Sequence, residues 1–447
     1  MSVKKTALPL GIIALAVVIG FGAAGCKNDD DSDSNNNGGT PNSTSSAYKW
    51  YGNGSANSFT ISNATQLAEF AKIVRGTTGL DGPAQSDFKG KTVTLSADIN
   101  LNNQEWVSIG NYSFGWDPFS GTFDGNDKTI SGFYFSNLYT SSGLFGCVGE
   151  GGIVKNIVLA DINVNGGEYS GAMVGVNRGT VQNCNVTGSI NGSVYGGMVG
   201  VNRGTVQNCS FSGSVTAPNA GGMVGENHGT VQNCSFSGNV TVSWTSGGGI
   251  VGHNKGMVQY CYATGSVDGS STSAGGIVGY SEGTIRNCYA TNNVKGYNWV
   301  GGVAGRNVSG TVQNCYATGN ITAISNTIDR SLGGVVGRSS DSGTVQNCVA
   351  LNSSLNITNY SESTFFASRV VGVWFGSISN NYGLSGMTLP GGFNATYGSD
   401  GADVSAPDYN SQEWWTTASN WDSASLWNFT TVWEWDSARD LPELRMQ

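Results

Sequence analysis

The chain has 447 residues, of which 68 are glycine and only 8 proline, with 11% charged residues and a formal net charge of −9. So much glycine with so little charge fits neither a disordered chain nor, without a three-residue period, collagen. The acidic balance argues against a nucleic-acid partner.

In chain order, the first segment is "MSVKK", an apolar run from Ala7 to Ala24, and "AAGC" at 23–26. A basic start, a short apolar stretch and small residues before a cleavage point make a secretory signal rather than a spanning helix. The cysteine directly after those small residues resembles the lipobox of bacterial lipoproteins, with Ala23 where that family usually has leucine. The resemblance implies cleavage of residues 1–25, lipidation of Cys26 and attachment to a membrane through that lipid. More than one acyl chain gives a stable anchor, since each buried methylene contributes about 0.8 kcal/mol. Residues 26–46 ("CKNDDDSDSNNNGGTPNSTSS") offer no set of apolar side chains able to build a core and read as a disordered tether.

Residues 47–142 read as an N-terminal cap and first coils. "NATQLAEFAKIV" (63–74) is an amphipathic helix: Asn63 or Thr65 can cap its start, and Leu67, Phe70, Ala71 and Val74 share one face. It is expected to plug one end of the fold.

Between 143 and 382 a unit recurs, G-G-(M/I/V)-V-G-x-N-x-G-T-V-Q-N-C-x-x-x-G-x-(V/I). Its "VG" glycine falls at Gly175, Gly200, Gly225, Gly252, Gly279, Gly305 and Gly337, in steps of 25, 25, 27, 27, 26 and 32 residues. Each unit alternates apolar with small or polar residues in short valine-rich runs bounded by glycine and asparagine, which reads as strands broken by turns. Three short strands per unit, stacked identically, predict an all-β fold, a right-handed parallel β-helix. A propeller blade needs about 40–45 residues, too many for this period. The unit resembles the GLUG motif of bacterial surface proteins, and "FSGTFDGNDKTISGFYF" with "SGLFG" resembles the segments that precede such repeats. The resemblance implies a β-solenoid in the cell envelope or on the surface of a bacterium, of a kind found in adhesin-like proteins and beside the catalytic domain of immunoglobulin-A-specific metallopeptidases. It supplies no activity.

The last segment, 383–447, gathers Trp414, Trp415, Trp421, Trp427, Trp433 and Trp435. These read as an aromatic cap over the exposed final core, or as a glycan platform.

In a solenoid, equivalent residues stack in columns about 4.8 Å apart. Cys184, Cys209, Cys234, Cys261, Cys288, Cys315 and Cys348 make one such column. In-register side chains keep their Cβ atoms too far apart for relaxed disulfides, and a straight column cannot converge four zinc ligands, so these read as core-filling thiols. Asparagines before the cysteines hold bends, and Asn177, Asn202, Asn227, Asn254 and Asn307 form a second ladder. Two columns are candidates for binding. Arg178, Arg203, His228 and Lys255 follow one another at a turn before the sign changes at Glu282; they form either a site for an anionic glycan or lipid headgroup, or a solvated turn. Tyr262, Tyr289 and Tyr316 follow the cysteines and point outward, as a sugar-stacking row or for strand propensity alone.

From Gly171 to Ala350 the carboxylates are Glu226, Asp268, Glu282, Asp329 and Asp341, and none recurs in a column. The two histidines, His228 and His253, do not form H-E-x-x-H, so no metal or other cofactor is expected and metallopeptidase activity is not carried over. "TFDGND" (122–127) holds Asp124 and Asp127 at a coil-forming turn. The sequence thus predicts a non-catalytic rod binding a glycan or a host or matrix protein. A polysaccharide-cleaving enzyme and a structural envelope stalk are the alternatives.

Overall fold

The computed structural model describes residues 47–445, apart from residues 81, 168 and 341 and the stretches 113–116, 136–140, 193–194, 270–271, 325–329, 359–364, 392–398 and 423–425. The lipobox-like Cys26 and the tether at 26–46 lie outside the described residues.

The chain winds as a parallel β-solenoid with three sheets along its length. A long sheet of 25 strands runs from Ser58–Ile61 to Ala402–Val404, a sheet of 7 from Tyr195–Gly196 to Phe365–Ser368, and a sheet of 9 from Phe145–Val148 to Val371–Trp374. One rung comprises Val199–Asn202 in the nine-stranded sheet, Thr205–Gln207 and Ser210–Ala217 in the long sheet, and Ala220–Gly221 in the seven-stranded sheet. Four segments therefore serve where the sequence suggested three. Asn208, at φ 54° in the left-handed region, bends the chain between the two segments that share the long sheet.

Successive rungs pair in register, so sequence equivalents are spatial neighbours. Val206 lies on Val231, Phe211 on Phe236 and Asn202 on Asn227. Along Ser210–Ala217 the residues Phe211, Val215 and Ala217 are buried, while Ser212, Ser214 and Thr216 are less covered or exposed, the period-two alternation that the pleat requires.

Glycine sets how closely the rung folds on itself. A Cβ at Gly221 would lie 1.9 Å from the Val224 carbonyl oxygen and 2.6 Å from the Gly252 nitrogen, so backbone meets backbone with no room for a methyl group. The repeat's G-G signature is a record of that approach.

A buried asparagine ladder fastens the rungs at the next corner. Asn202 Nδ2 donates to Asn227 Oδ1 at 2.8 Å, to the Gly204 carbonyl at 3.2 Å and to the Thr230 carbonyl at 3.1 Å. Its Oδ1 accepts from Asn177 Nδ2 at 2.8 Å and from the Gly204 N–H at 3.3 Å.

The N-terminal end is closed by helix α1 (Ala64–Arg75), with Asn63 accepting from the Gln66 N–H as N-cap and Gly76 in the left-handed region at the C-terminus. Leu67, Phe70, Ala71, Ile73 and Val74 are buried, and Phe70 meets Phe88 at 4.9 Å and Phe123 at 5.7 Å. At the other end Ala402–Val404 pairs in parallel with Tyr382–Leu384 as a last strand. The chain then turns back, and its tryptophans lie along the outer flank of the long sheet rather than across the open end. They form a hydrophobic cluster with Tyr289, Tyr316, Val349 and Leu351, separate from the interior core.

Replacing Asn202 with alanine removes a donor and an acceptor that neighbouring rungs use, at a cost of about 1–3 kcal/mol for each buried group left unpaired. A lowered urea midpoint is the expected result. Gly221→Ala should lower it further, because backbone atoms rather than a pliant side chain must move.

Candidate functional site

The seven repeat cysteines are buried, and each reaches a backbone carbonyl as well as the neighbouring thiols of the column. Cys234 Sγ, for example, donates to the Gln232 carbonyl at 3.1 Å and lies 3.7 Å from that of Val206. All are free thiols, as is Cys147. Burial pushes the Cys184, Cys209, Cys234, Cys288 and Cys348 thiols well above their usual range and Cys147 up to about 12 against the pull of Arg178, whereas at Cys261 and Cys315 burial is outweighed by hydrogen bonds from the thiols on either side. A thiol closed off from water has no access to a substrate, so the column fills the core. Native protein should react with almost no thiol reagent, whereas denaturation without reductant should release these cysteines for titration. A titre near zero after denaturation would contradict the structure.

At the turn, Arg178, Arg203, His228, Lys255 and Glu282 do stack in the predicted order, since each backbone N–H after the first reaches the asparagine carbonyl one rung earlier, as His228 N–H does to Asn202. Their charges are not pooled. Glu226 Oε1 lies 2.9 Å from His228 Nε2 and 3.1 Å from Lys255 Nζ, and Glu282 lies 3.1 Å from His253 Nε2. Burial alone would raise the Glu226 pKa, but Lys255 and His228 outweigh it and hold the carboxyl below its usual range. Arg178, at the start of the row, also lines a cleft of about 750 Å³ with Gln85, Asp87, Lys89, Asp117 and Glu150. Asp124 in "TFDGND" is paired with Lys155 at 3.0 Å and accepts from Asn156 at 3.0 Å; Asn126 and Asp127 adopt positive φ, so this acidic cluster builds a bend.

The tyrosine row exists but is not open along its length. Tyr262, Tyr289 and Tyr316 stack at 5.1 Å with rings 4° from parallel. Tyr289 and Tyr316, however, are 1% and 2% exposed beneath Trp433, Trp415 and Trp427, and Tyr316 Oη donates to the Pro442 carbonyl at 2.7 Å. The outward face predicted for sugar stacking is here occupied by the chain's own C-terminal segment. The physical reason is area: a ladder of rings is a large apolar surface, and six nearby tryptophans cover it. Tyr316→Ser should cost about 3–5 kcal/mol of docking energy, the range for truncating a buried aromatic. Expected readouts are red-shifted tryptophan fluorescence and faster tryptic cleavage at Arg439 and Arg445 with the rungs intact.

The outward face of the nine-stranded sheet holds a column that the sequence reading passed over. Cys147, Val176, Val201, Glu226, His253, Tyr280, Arg306, Arg338 and Val373 are successive partners in it. The first three are covered by Tyr112 and Tyr169. Then the column becomes polar and aromatic. The His253 ring meets Tyr280 edge-on at 4.8 Å. The Arg306 guanidinium lies 4.3 Å from the Trp299 ring centre and 5.5 Å from that of Tyr280, and Arg338 lies 5.7 Å from Trp299 and 5.6 Å from Phe375. Phe375 is 51% exposed. Among the described residues no carboxylate forms an ion pair with Arg306, and its Nε is buried without a hydrogen-bond partner. The signal was present in the repeat as the variable x of V-G-x-N, the letter that changes while its neighbours hold.

Fold and columns together define a β-solenoid of stacked repeats with a constant interior and a varied exterior. Residues 270–295 and 296–322 each match the family model described as the GLUG motif, so the chain carries GLUG repeats. A segment of 79 residues, 17% of this chain, is 39% identical to Halomucin of Haloquadratum walsbyi, and the match spans 1% of that protein's length. Among solved structures, a candidate immunoglobulin A1 protease from Bacteroides ovatus aligns with a TM-score of 0.42 at 19% identity, covering 87% of this chain and 92% of that one.

Proposed function

We propose that this chain is a lipid-anchored β-solenoid displayed on a bacterial envelope, adhesin-like, which binds a glycan or a host or matrix protein and catalyses nothing. The observation that carries the reading is the contrast between inside and outside. Valine, cysteine, asparagine and glycine repeat almost unchanged where rungs touch, whereas the outward column runs Val201, Glu226, His253, Tyr280, Arg306, Arg338. Stability alone asks for no such progression, since outward positions tolerate most polar residues within about ±0.5 kcal/mol. The lipobox-like Cys26 and the acidic, asparagine-rich tether support attachment to a membrane with the rod held clear of it.

A second reading, polysaccharide cleavage, is favoured by one feature: the cleft lined by Asp87, Asp117 and Glu150 together with Lys89 and Arg178. Glycoside hydrolysis calls for a pair of carboxyl groups across a sugar ring.

Two measurements test the proposal. The full-length chain expressed in a bacterial host should partition into detergent with the membrane fraction, and Cys26→Ser should release it. On a panel of polysaccharides and matrix proteins, the chain should retain a ligand without generating new reducing or unsaturated ends. Appearance of such ends, abolished by Asp117→Asn, would replace the binding reading with the enzymatic one.

A further inference from the structure

One column of the repeat is broken at a single rung. The left-handed residue before each cysteine is Asn183, Asn208, Asn233, Asn287, Asn314 and Asn347, but before Cys261 it is Tyr260, at φ 55°. Asparagine is tolerated in that region and a bulky side chain is an outlier, so backbone geometry disfavours tyrosine at this rung. Strained residues of this kind concentrate at ligand sites. The change also cuts an amide ladder. Asn208 Nδ2 donates to Asn183 Oδ1 at 3.2 Å and Asn233 Nδ2 to Asn208 Oδ1 at 3.1 Å, each rung to the one before. Tyr260 has no amide to continue the series. Among the described residues no donor reaches Asn233 Oδ1, and that oxygen stays open to solvent.

The break opens onto a pocket of about 300 Å³. The rungs supply Gln232, Asn233 and Tyr260 to it, and the docked C-terminal segment supplies Thr431, Val432 and Arg445. Small-molecule sites span about 300–1,000 Å³, so this one suits a single ring rather than a stretch of polymer. Its residue types match a sugar: an aromatic ring for the C–H face, and amide, hydroxyl and guanidinium groups for hydroxyls that both donate and accept. The Tyr260 hydroxyl, open to solvent, and that of the exposed Thr431 are engaged by no protein group among the described residues. Among those residues no carboxylate lines the pocket. Its cation, Arg445, already lies 3.4 Å from Glu434 and donates through Nε to the Trp433 carbonyl at 2.9 Å. That charge is met within the chain, which favours a neutral ligand over an anion.

We infer that the pocket between the Tyr260 rung and the C-terminal segment binds one neutral sugar ring of a glycan, with Tyr260 against its C–H face and Asn233 Oδ1 accepting from a hydroxyl. The inference rests on the ligand-binding reading above and gives that reading a site. It also accounts for a tyrosine where the backbone favours asparagine.

The test passes the full chain carrying Cys26→Ser over immobilised glucose, galactose, mannose, fucose and N-acetylglucosamine, with glucuronate and galacturonate as charged counterparts. At least one neutral sugar should retain the chain, release it to the free methyl glycoside, and hold it in salt that screens charge-driven binding. Tyr260→Asn installs the residue that other rungs carry, so its urea midpoint should equal or exceed the parent's. Retention should nevertheless fall about tenfold, the scale of an aromatic contact, because the ring is gone and Asn233 Oδ1 gains a donor. Tyr260→Phe keeps the ring and should lose far less. A lowered midpoint or shifted tryptophan fluorescence in Tyr260→Asn would mean that the C-terminal segment has loosened, since Tyr260 also packs against the tryptophan cluster. Thr431→Val then decides: weakened retention supports the site, and full retention assigns Tyr260 to docking alone and overturns it. Retention by the charged sugars alone, or undiminished retention of Tyr260→Asn, would also overturn the inference. If no sugar retains the chain but another ligand on the wider panel does, the binding reading stands without this pocket; if nothing does, both fall.

Discussion

Each position in this solenoid stacks on its own equivalent from the next unit, so a residue type can recur from rung to rung only if it packs against itself. Asparagine satisfies the rule because one amide both donates and accepts, giving the 2.8 Å contacts from Asn177 to Asn202, Asn227 and Asn254. Glutamine does the same outside, from Gln182 through Gln207 and Gln232 to Gln259, where Arg286 Nε then takes the acceptor at 2.8 Å. Tyrosine and phenylalanine satisfy it by stacking, with Phe211 on Phe236 only 6° from parallel. Carboxylates do not, which explains why Glu226 and Glu282 appear singly and beside cations.

The same rule accounts for the C-terminal segment. Three tyrosines in a row satisfy self-stacking but leave an apolar flank, and a flank of that kind binds something. In this chain the something is intramolecular. Trp415, Trp421, Trp427 and Trp433 bury the middle of the row, and Asn314 Nδ2 reaches the Leu426 carbonyl at 3.4 Å across a separation of 112 residues. The tryptophans thus tie the last segment to rungs well before the end of the rod, so the final rungs are held from the side as well as from below.

Much of this architecture was legible because periodicity is a strong signal. The repeat, the inward cysteines, the asparagine bends and the amphipathic helix at 64–75 all follow from spacing and residue type. What was not legible involved contacts between parts of the chain that share no period. Nothing local in "EWWTTASNWDSASLWNFTTVWEW" says which surface it will cover, and an open end and a tyrosine flank are both apolar. The split of the long sheet's contribution at Asn208 was hidden because a left-handed asparagine looks the same at the end of a strand as between two. The arginine column was in plain view yet averaged away: writing the repeat as a consensus turned Glu226, His253, Tyr280, Arg306 and Arg338 into an x.

That loss is instructive about where recognition can reside in a self-stacking fold. Interior letters are constrained from two sides, by the rung below and the rung above, and drift in any one would propagate as a mismatch to both. An outward letter also meets its equivalents on adjacent rungs, as His253 meets Tyr280, but its free side faces solvent, which relaxes the demand for a close fit. Change at the outward column therefore costs the fold least, because solvent takes up what a neighbouring rung does not. The progression from Val176 and Val201, shielded by Tyr112 and Tyr169, to Arg306 and Arg338, set against Trp299, turns one face from apolar and covered to cationic and aromatic within a few rungs. Because the backbone beneath does not change, each rung presents its side chain at a fixed height and direction. A rod of this kind composes its outer surface one letter per unit, and along this column the letters pass from valine through acid and histidine to aromatic and arginine without any change in the rungs beneath.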